Sequence, residues 1–229
     1  GFDAADCGGS DCNDEFDNVF PEAASTSGWQ RECDTWLQSD LDDDAWYFAT
    51  VEQPNLVFDG SRIAMYFRTG FNLFEMAFGV YYSDDLGQTW TLDGPIFQGT
   101  GDPLDWDGWG ISNPNVIYDA GDPAFPYKLY FSARNPNIVP TTRSFGMAVS
   151  SDGLTWNRVT DINLETEKIV EMGGVGDMDE DNIGTPYVYI SGTTYVMLYL
   201  CRAGSLAGIC MATSVDSGYS WTKWDSAPG

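Results

Sequence analysis

Apolar and polar residues alternate along this chain in short runs, with a period nearer two than 3.6. Stretches such as "RIAMYFRTG", "YKLYFSAR", "SFGMAVSS" and "TYVMLYLCRAG" are rich in Val, Ile, Tyr and Phe and stop at Gly, Ser or Asn. That is the habit of half-buried strands. No segment carries a sustained i, i+3, i+4, i+7 apolar stripe, so helix is expected to be scarce. The strands come in groups. A run opened by Pro leads to a Gly- or Asp-bearing turn, then to an alternating strand with a Tyr. A variable loop, a third strand and a Ser-x-Asp motif follow, and a short strand beginning at Trp closes the group. The motif reads "SDDLGQTW" at Ser83–Trp90, "SSDGLTW" at Ser150–Trp156 and "SVDSGYSW" at Ser214–Trp221. The opening prolines are Pro54, Pro114 and Pro186, so the unit repeats every 60 to 72 residues.

Four strands per unit, repeated, predict an all-β chain of β-propeller type built from four-stranded blades. Three blades are legible, at about residues 42–104, 105–176 and 177–229, which together make a repeat region of 42–229. Residues 1–41 stand apart as an acidic, cysteine-containing segment, either a degenerate blade or a leader. Propellers close with roughly four to eight blades, so three imply a partial or a five-bladed propeller. An arc left open exposes an apolar blade face. A neighbouring subunit or a further part of the same polypeptide is therefore expected beside it.

Each residue type in the Ser-x-Asp motif has a folding task. The hydroxyls of Ser83, Ser150 and Ser214 and the carboxylates of Asp85, Asp152 and Asp216 can bond backbone N–H groups across the turn. Gly87, Gly153 and Gly218 supply positive φ. Trp90, Trp156 and Trp221 enter the last strand and pack between blades. The motif reads as a staple rather than a site. These stretches resemble the Asp-box of sialidase-type propellers, Ser-x-Asp-x-Gly-x-Thr/Ser-Trp, the middle copy being one residue shorter. The whole unit, with "MYF", "LYF" or "LYL" in its second strand and "GMAVSSDGLTW" at its end, looks more like the five-bladed glycosidase propellers: invertases, arabinanases and related glycan phosphorylases. The resemblance covers about residues 42–225. It implies a fold that binds or cuts sugars in a funnel on the propeller axis, with the Asp-boxes away from it. An invertase-like motif has Asp before the Pro, where this chain has Gln53-Pro54-Asn55 and Asn113-Pro114-Asn115, and the sialidase "FRIP" opening is missing. Glycoside hydrolysis with carboxylates thus stands open beside a non-catalytic structural or adhesive role in an extracellular assembly or fibril.

Charge narrows the partners. Thirty-five acidic residues face ten basic ones, with no His and a net charge of −25. Such a surface repels phosphate backbones, which argues against nucleic acid, and attracts cations such as Ca²⁺. Without His there is no Ser-His-Asp or Cys-His mechanism and no His-ligated zinc. No run approaches the ~18 apolar residues of a membrane span, so membrane insertion is not expected. No cofactor is required by this reading, and calcium is the one ion that would suit it. Of five cysteines, Cys7, Cys12 and Cys33 lie near the start and Cys201 and Cys210 near the end. "YLCRAGSLAGICMA" reads as two strands around a Gly-rich loop, which would set Cys201 and Cys210 opposite each other for a cross-strand disulfide. A disulfide implies a secreted protein. One of the first three cysteines is left over or pairs with another chain.

In a propeller the loops entering the inner strands share one site. "DWDGWGISNP" places Asp105 and Asp107 nine and seven residues before Pro114, and "DMDEDNIGTP" places Asp177 and Asp179 at the same distances before Pro186. Asp42 and Asp44 are the first copy's counterparts, with three extra residues in between. Carboxylates converging from separate blades suit acid/base glycosidic cleavage or Ca²⁺ ligation at Asp105, Asp107, Asp177 and Asp179; alternatively they cap loop backbone. Glu180 and Glu52 are the best proton donors, since burial near the axis would raise a glutamate towards working pH; Asp107 completes the candidate catalytic set. Trp46, Trp106 and Trp109 lie in or beside these loops, placed to stack on sugar faces or to pack between blades. Of seven arginines, Arg68, Arg134 and Arg202 end the second strands. Sialidases hold a sugar carboxylate with three arginines, through forked guanidinium–carboxylate bonds. The offsets of these three from the strand Tyr are two, four and three.

Overall fold

The computed structural model describes residues 51–70, 76–135, 143–159 and 168–224. Asp42, Asp44, Trp46, Cys7, Cys12 and Cys33 lie outside these residues. Three antiparallel sheets account for all thirteen strands among the described residues. The first holds β1 (Val51–Phe58), β2 (Ile63–Thr69), β3 (Ala77–Ser83) and β4 (Thr91–Gln98) in that order. The second holds β5 (Ile111–Tyr118), β6 (Tyr127–Arg134), β7 (Arg143–Ser150) and β8 (Asn157–Arg158), and the third β10 (Asn182–Ser191), β11 (Thr194–Ala203), β12 (Leu206–Ser214) and β13 (Thr222–Lys223). No helix occurs among the described residues. One element departs from the simple unit: β9 (Lys168–Glu171) pairs with β7 beyond β8, so the outer strand of the second blade comes in two pieces.

The first strand of each sheet is the innermost, with β1 packing on β5 and β5 on β10. This is the radial arrangement of a β-propeller. The residue before each opening Pro has a left-handed backbone: Gln53 (φ 58°), Asn113 (φ 56°) and Thr185 (φ 52°). At each of these points the register of the inner strand slips by a bulge. Beyond it, the side-chain oxygen of Asn55 accepts the Val116 N–H and that of Asn115 the Val188 N–H, both at 2.7 Å. A side-chain amide thus does between blades what a ladder does within one.

The core sits between blades rather than within them. Tyr66, Phe78, Phe97, Phe131 and Val116 fill the first junction. Tyr130, Phe145, Met147, Met197 and Tyr199 fill the second. The second and third Ser-x-Asp turns seal the same junctions from one end. In each turn the Ser hydroxyl donates to the Asp carboxylate and accepts a glycine N–H: 2.7 Å from Gly87, 2.9 Å from Gly153 and 3.0 Å from Gly218. The Asp carboxylate takes the N–H of Thr89, Thr155 or Ser220 at 2.8–3.0 Å. Hydrogen bonds from the Thr89 hydroxyl and N–H, and then from Ser83, hold the Asp85 carboxyl at about 2.

Trp156 and Trp221 then meet Tyr66 and Tyr130 of the preceding blade edge-on, with centroids 6.0 and 5.9 Å apart. The Tyr66 hydroxyl donates to the Gly153 carbonyl at 3.1 Å. In the third turn the corresponding carbonyl of Gly218 is taken by the Trp221 indole at 2.8 Å. Each carbonyl serves one donor, and Trp156 Nε1 and the Tyr130 hydroxyl are left buried without a partner among the described residues.

Two sequence readings need correction. Ser83, Ser150 and Ser214 pair with Ile63, Tyr127 and Tyr195, which makes Leu198, not Tyr199, the counterpart of Tyr66 and Tyr130. The "LYL" alignment is out by one residue: Tyr199 lies on the opposite face of β11 from Leu198, with Tyr195 in the second junction. Cys201 and Cys210 are joined by a disulfide with Cα atoms 5.7 Å apart, but they are diagonal rather than opposite. Cys201 faces Gly208 and Cys210 faces Tyr199, and diagonal neighbours on one sheet face remain within reach of each other.

Candidate functional site

In this topology the Ser-x-Asp turns lie at one end of the blades. The loops entering the inner strands lie at the other, with the connections between second and third strands. The loops into β5 and β10 are built alike. Asp105 N donates to Asp102 O and Gly108 N to Asp105 O, at 3.0 and 3.1 Å; Asp177 N donates to Gly174 O and Glu180 N to Asp177 O, at 3.1 and 3.2 Å.

The second aspartate of each pair is buried and tied to its own blade. Asp107 accepts from Arg158 Nη1 at 2.5 Å and from the Thr100 hydroxyl at 3.1 Å. Asp179 lies 2.7 Å from Lys223 Nζ and accepts from the Tyr199 hydroxyl at 3.0 Å. Burial, and next Asp179, push the Tyr199 phenol above its ordinary range. Arg158 and Lys223 occupy equivalent outer-strand positions, opposite Ala148 and Ala212. The repeated aspartate is therefore a strut from the loop to the outermost strand. The pattern that marked Asp107 and Asp179 as candidates also carries this mechanical role.

The other candidates are dispersed. Asp105 and Asp177 are exposed, and Asp177 accepts the Gly174 N–H at 2.7 Å. Glu180, half-buried, bends back to the Gly176 N–H at 2.5 Å. Glu52 is exposed on β1, 3.3 Å from Arg68. Trp106 stacks on Phe131, with centroids 5.9 Å apart and planes at 17°, as part of the first inter-blade core. Among the described residues no three His, Cys, Asp or Glu side chains gather as a metal site.

What this end does assemble is a pocket between the first two blades. Arg68, Trp109, Ser112, Ser132, Arg134 and Arg143 line it. Ser112 and Ser132 share a hydroxyl–hydroxyl hydrogen bond of 2.9 Å, and Ser132 reaches the Asn113 side-chain oxygen, also at 2.9 Å. Asn135 pins the adjoining loop through the Pro103 and Asp105 carbonyls, at 2.8 and 2.5 Å. Of the three arginines singled out in the sequence, Arg68 and Arg134 meet here; Arg202 is exposed on the third blade, outside the pocket. Arg143 takes the third place. It stands opposite Arg134 at the mouth of the β6–β7 hairpin, and the signal for it in sequence was an Arg on each side of one inter-strand loop.

No family model matches this chain, and no curated protein matches it. Solved structures do. The chain superposes on BT0996 in its RGII complex with a TM-score of 0.62 at 20% identity, covering 82% of this chain and 59% of that one. It superposes on Zg3597, a family 117 glycoside hydrolase produced by the marine bacterium Zobellia galactanivorans, at 0.63 and 14% identity over 78% of this chain and 56% of that one. A sucrose-6-phosphate hydrolase from Lactobacillus gasseri gives 0.56 at 13% identity over 76% and 33%. This chain thus spans less than two thirds of their length. At these identities the likeness establishes the fold, the propeller of glycoside hydrolases.

Proposed function

We propose that this is a secreted, carbohydrate-interacting propeller whose Ser-x-Asp turns are Asp-boxes and whose three blades belong to a five-bladed arrangement. The pocket carries the reading: it lies at the end of the blades where loops enter the inner strands, and it combines an aromatic ring, hydroxyls and guanidinium groups. Such a mixture suits a sugar, which offers one apolar face and a rim of hydroxyls. The hydrolase neighbours support the same reading. A glycan-binding screen with and without Ca²⁺, run beside a hydrolysis assay, tests it. The expected result is binding of at least one glycan class, weakened about tenfold in Trp109→Ala. Silence in both assays would sink the proposal.

A second reading, a structural or adhesive module, is favoured by the flanks of the arc. Leu56 is 65% exposed and Phe58 55% on one side; Tyr187 is 56% and Ile209 70% exposed on the other. Apolar surfaces of this kind call for covering protein, a neighbouring subunit or a further part of the same polypeptide. The two readings are compatible, since the pocket and the flanks use different faces.

A further inference from the structure

A cation in a chain with 35 acidic and ten basic residues finds a carboxylate easily. Among the described residues Arg62, Arg68, Arg158 and the three lysines each do. Within that same set Arg134, Arg143 and the exposed Arg202 do not; unlike Arg202, Arg134 and Arg143 face each other across a hairpin and share the pocket with Arg68. Like charges directly opposite in a sheet are destabilising. Burial, and then the charges of Arg134 and Arg68, push Arg143 below the ordinary arginine range. Arg68 does not relieve the pair. Its Nη1 leans on Glu52 at 3.3 Å, while Nε and Nη2 point at the Met76 sulfur at 3.2 and 3.1 Å, a weak acceptor.

Unneutralised positive charge gathered in a half-buried pocket is unfavourable until an anion completes it. We propose that the pocket takes an acidic saccharide, whose carboxylate or sulfate group is gripped by Arg134 and Arg143, with Arg68 as third cation and the sugar ring against Trp109. The proposal rests on the carbohydrate reading above and adds the class of sugar. Guanidinium forks fit both oxyanions. A neutral sugar leaves the cations as they are, so the pocket discriminates against it by what it fails to compensate. The acidic surface elsewhere repels such ligands and confines binding to this patch.

Isothermal titration of the full chain tests this, with four probes: an oligogalacturonate, its neutral methyl ester, a sulfated galactan oligosaccharide and inorganic sulfate. The expected result is binding of one acidic saccharide, weakening as salt is added, with the neutral ester at least about tenfold weaker. Arg134→Gln and Arg143→Gln should each lose about tenfold in affinity. Arg202→Gln, which removes a charge outside the pocket, should leave it unchanged. Neither pocket variant should melt below the parent without ligand, because each relieves repulsion. Which acidic probe binds separates carboxylate from sulfate. If the neutral ester binds as well as the acid and Arg143→Gln is without effect, the anion proposal falls and the carbohydrate reading stands. If inorganic sulfate binds but no saccharide does, both fall and only an anion pocket remains. If nothing binds, both fall outright.

Discussion

The two junctions between blades and the two open flanks of the arc are built from the same strands, yet they differ in the residues that join one blade to the next. At both junctions an inner-strand Asn accepts an N–H from the next blade; at the third blade's outer face that position is Tyr187. At both, a second-strand Tyr reaches the next blade's turn glycine; on the third blade it is Leu198, half-buried. At both, Asp59 or Asp119 accepts from Tyr127 or Tyr195 of the following blade. The third blade offers Ser191 there, and the first blade presents Ile63 in place of the tyrosine. Blade-making and blade-joining are therefore separate layers of the sequence. Strand alternation and the Ser-x-Asp turn recur three times; among the described residues the latches are spelled only at the two junctions that use them.

The largest expected difference lies in one substitution made twice. A Cβ on Gly218 would stand 2.0 Å from the Tyr130 hydroxyl, while one on Gly87 meets nothing nearer than Trp90 at 3.8 Å; both glycines have positive φ, +87° and +91°. Gly218→Ala should cost at least about 3 kcal/mol, overpacking added to left-handed strain. Gly87→Ala should cost about 1–2 kcal/mol, the strain alone. Urea denaturation of both variants decides it, and equal losses would break the comparison. Next comes the amide latch. Asn115→Ala strands the buried Val188 N–H and should cost about 2 kcal/mol, whereas Tyr187→Thr, at the equivalent flank position, should stay within about 0.5 kcal/mol.

The smallest effect is on acid stability. Burial raises Asp59, but N–H bonds from Arg62 and Ser61 and the Tyr127 hydroxyl outweigh it and hold the carboxyl at about 2, against an ordinary 3.8. A carboxylate depressed in the folded state stabilises fully above its unfolded pKa and loses that contribution as pH falls towards the folded one. The urea midpoint should therefore drop between about pH 5 and pH 2.5, and drop less in Asp59→Asn. An unchanged drop in that variant would show that the Tyr–Asp latch does not report junction closure.

Much of the fold was legible because its rules are local. Alternation of period two, turn glycines and a motif returning every 60 to 72 residues depend on neighbours in the chain, and all three sheets followed. The candidate site was less legible. Asp107 and Asp179 were found by their spacing from Pro114 and Pro186, but spacing could not say that each faces a cation on the outer strand, 51 and 44 residues later. Arg143 escaped because its role depends on Arg134 opposite it and on Arg68 from another blade.

Residue order alone determined the strands, the hairpin turns and their repetition, since each is a choice of backbone conformation made within a few residues. Which carboxylates became struts, which tyrosines became latches and which arginines came to face one another was settled only when the blades packed. Charge and hydrogen bonding act across space, and the pairs that matter here come from strands far apart in the chain.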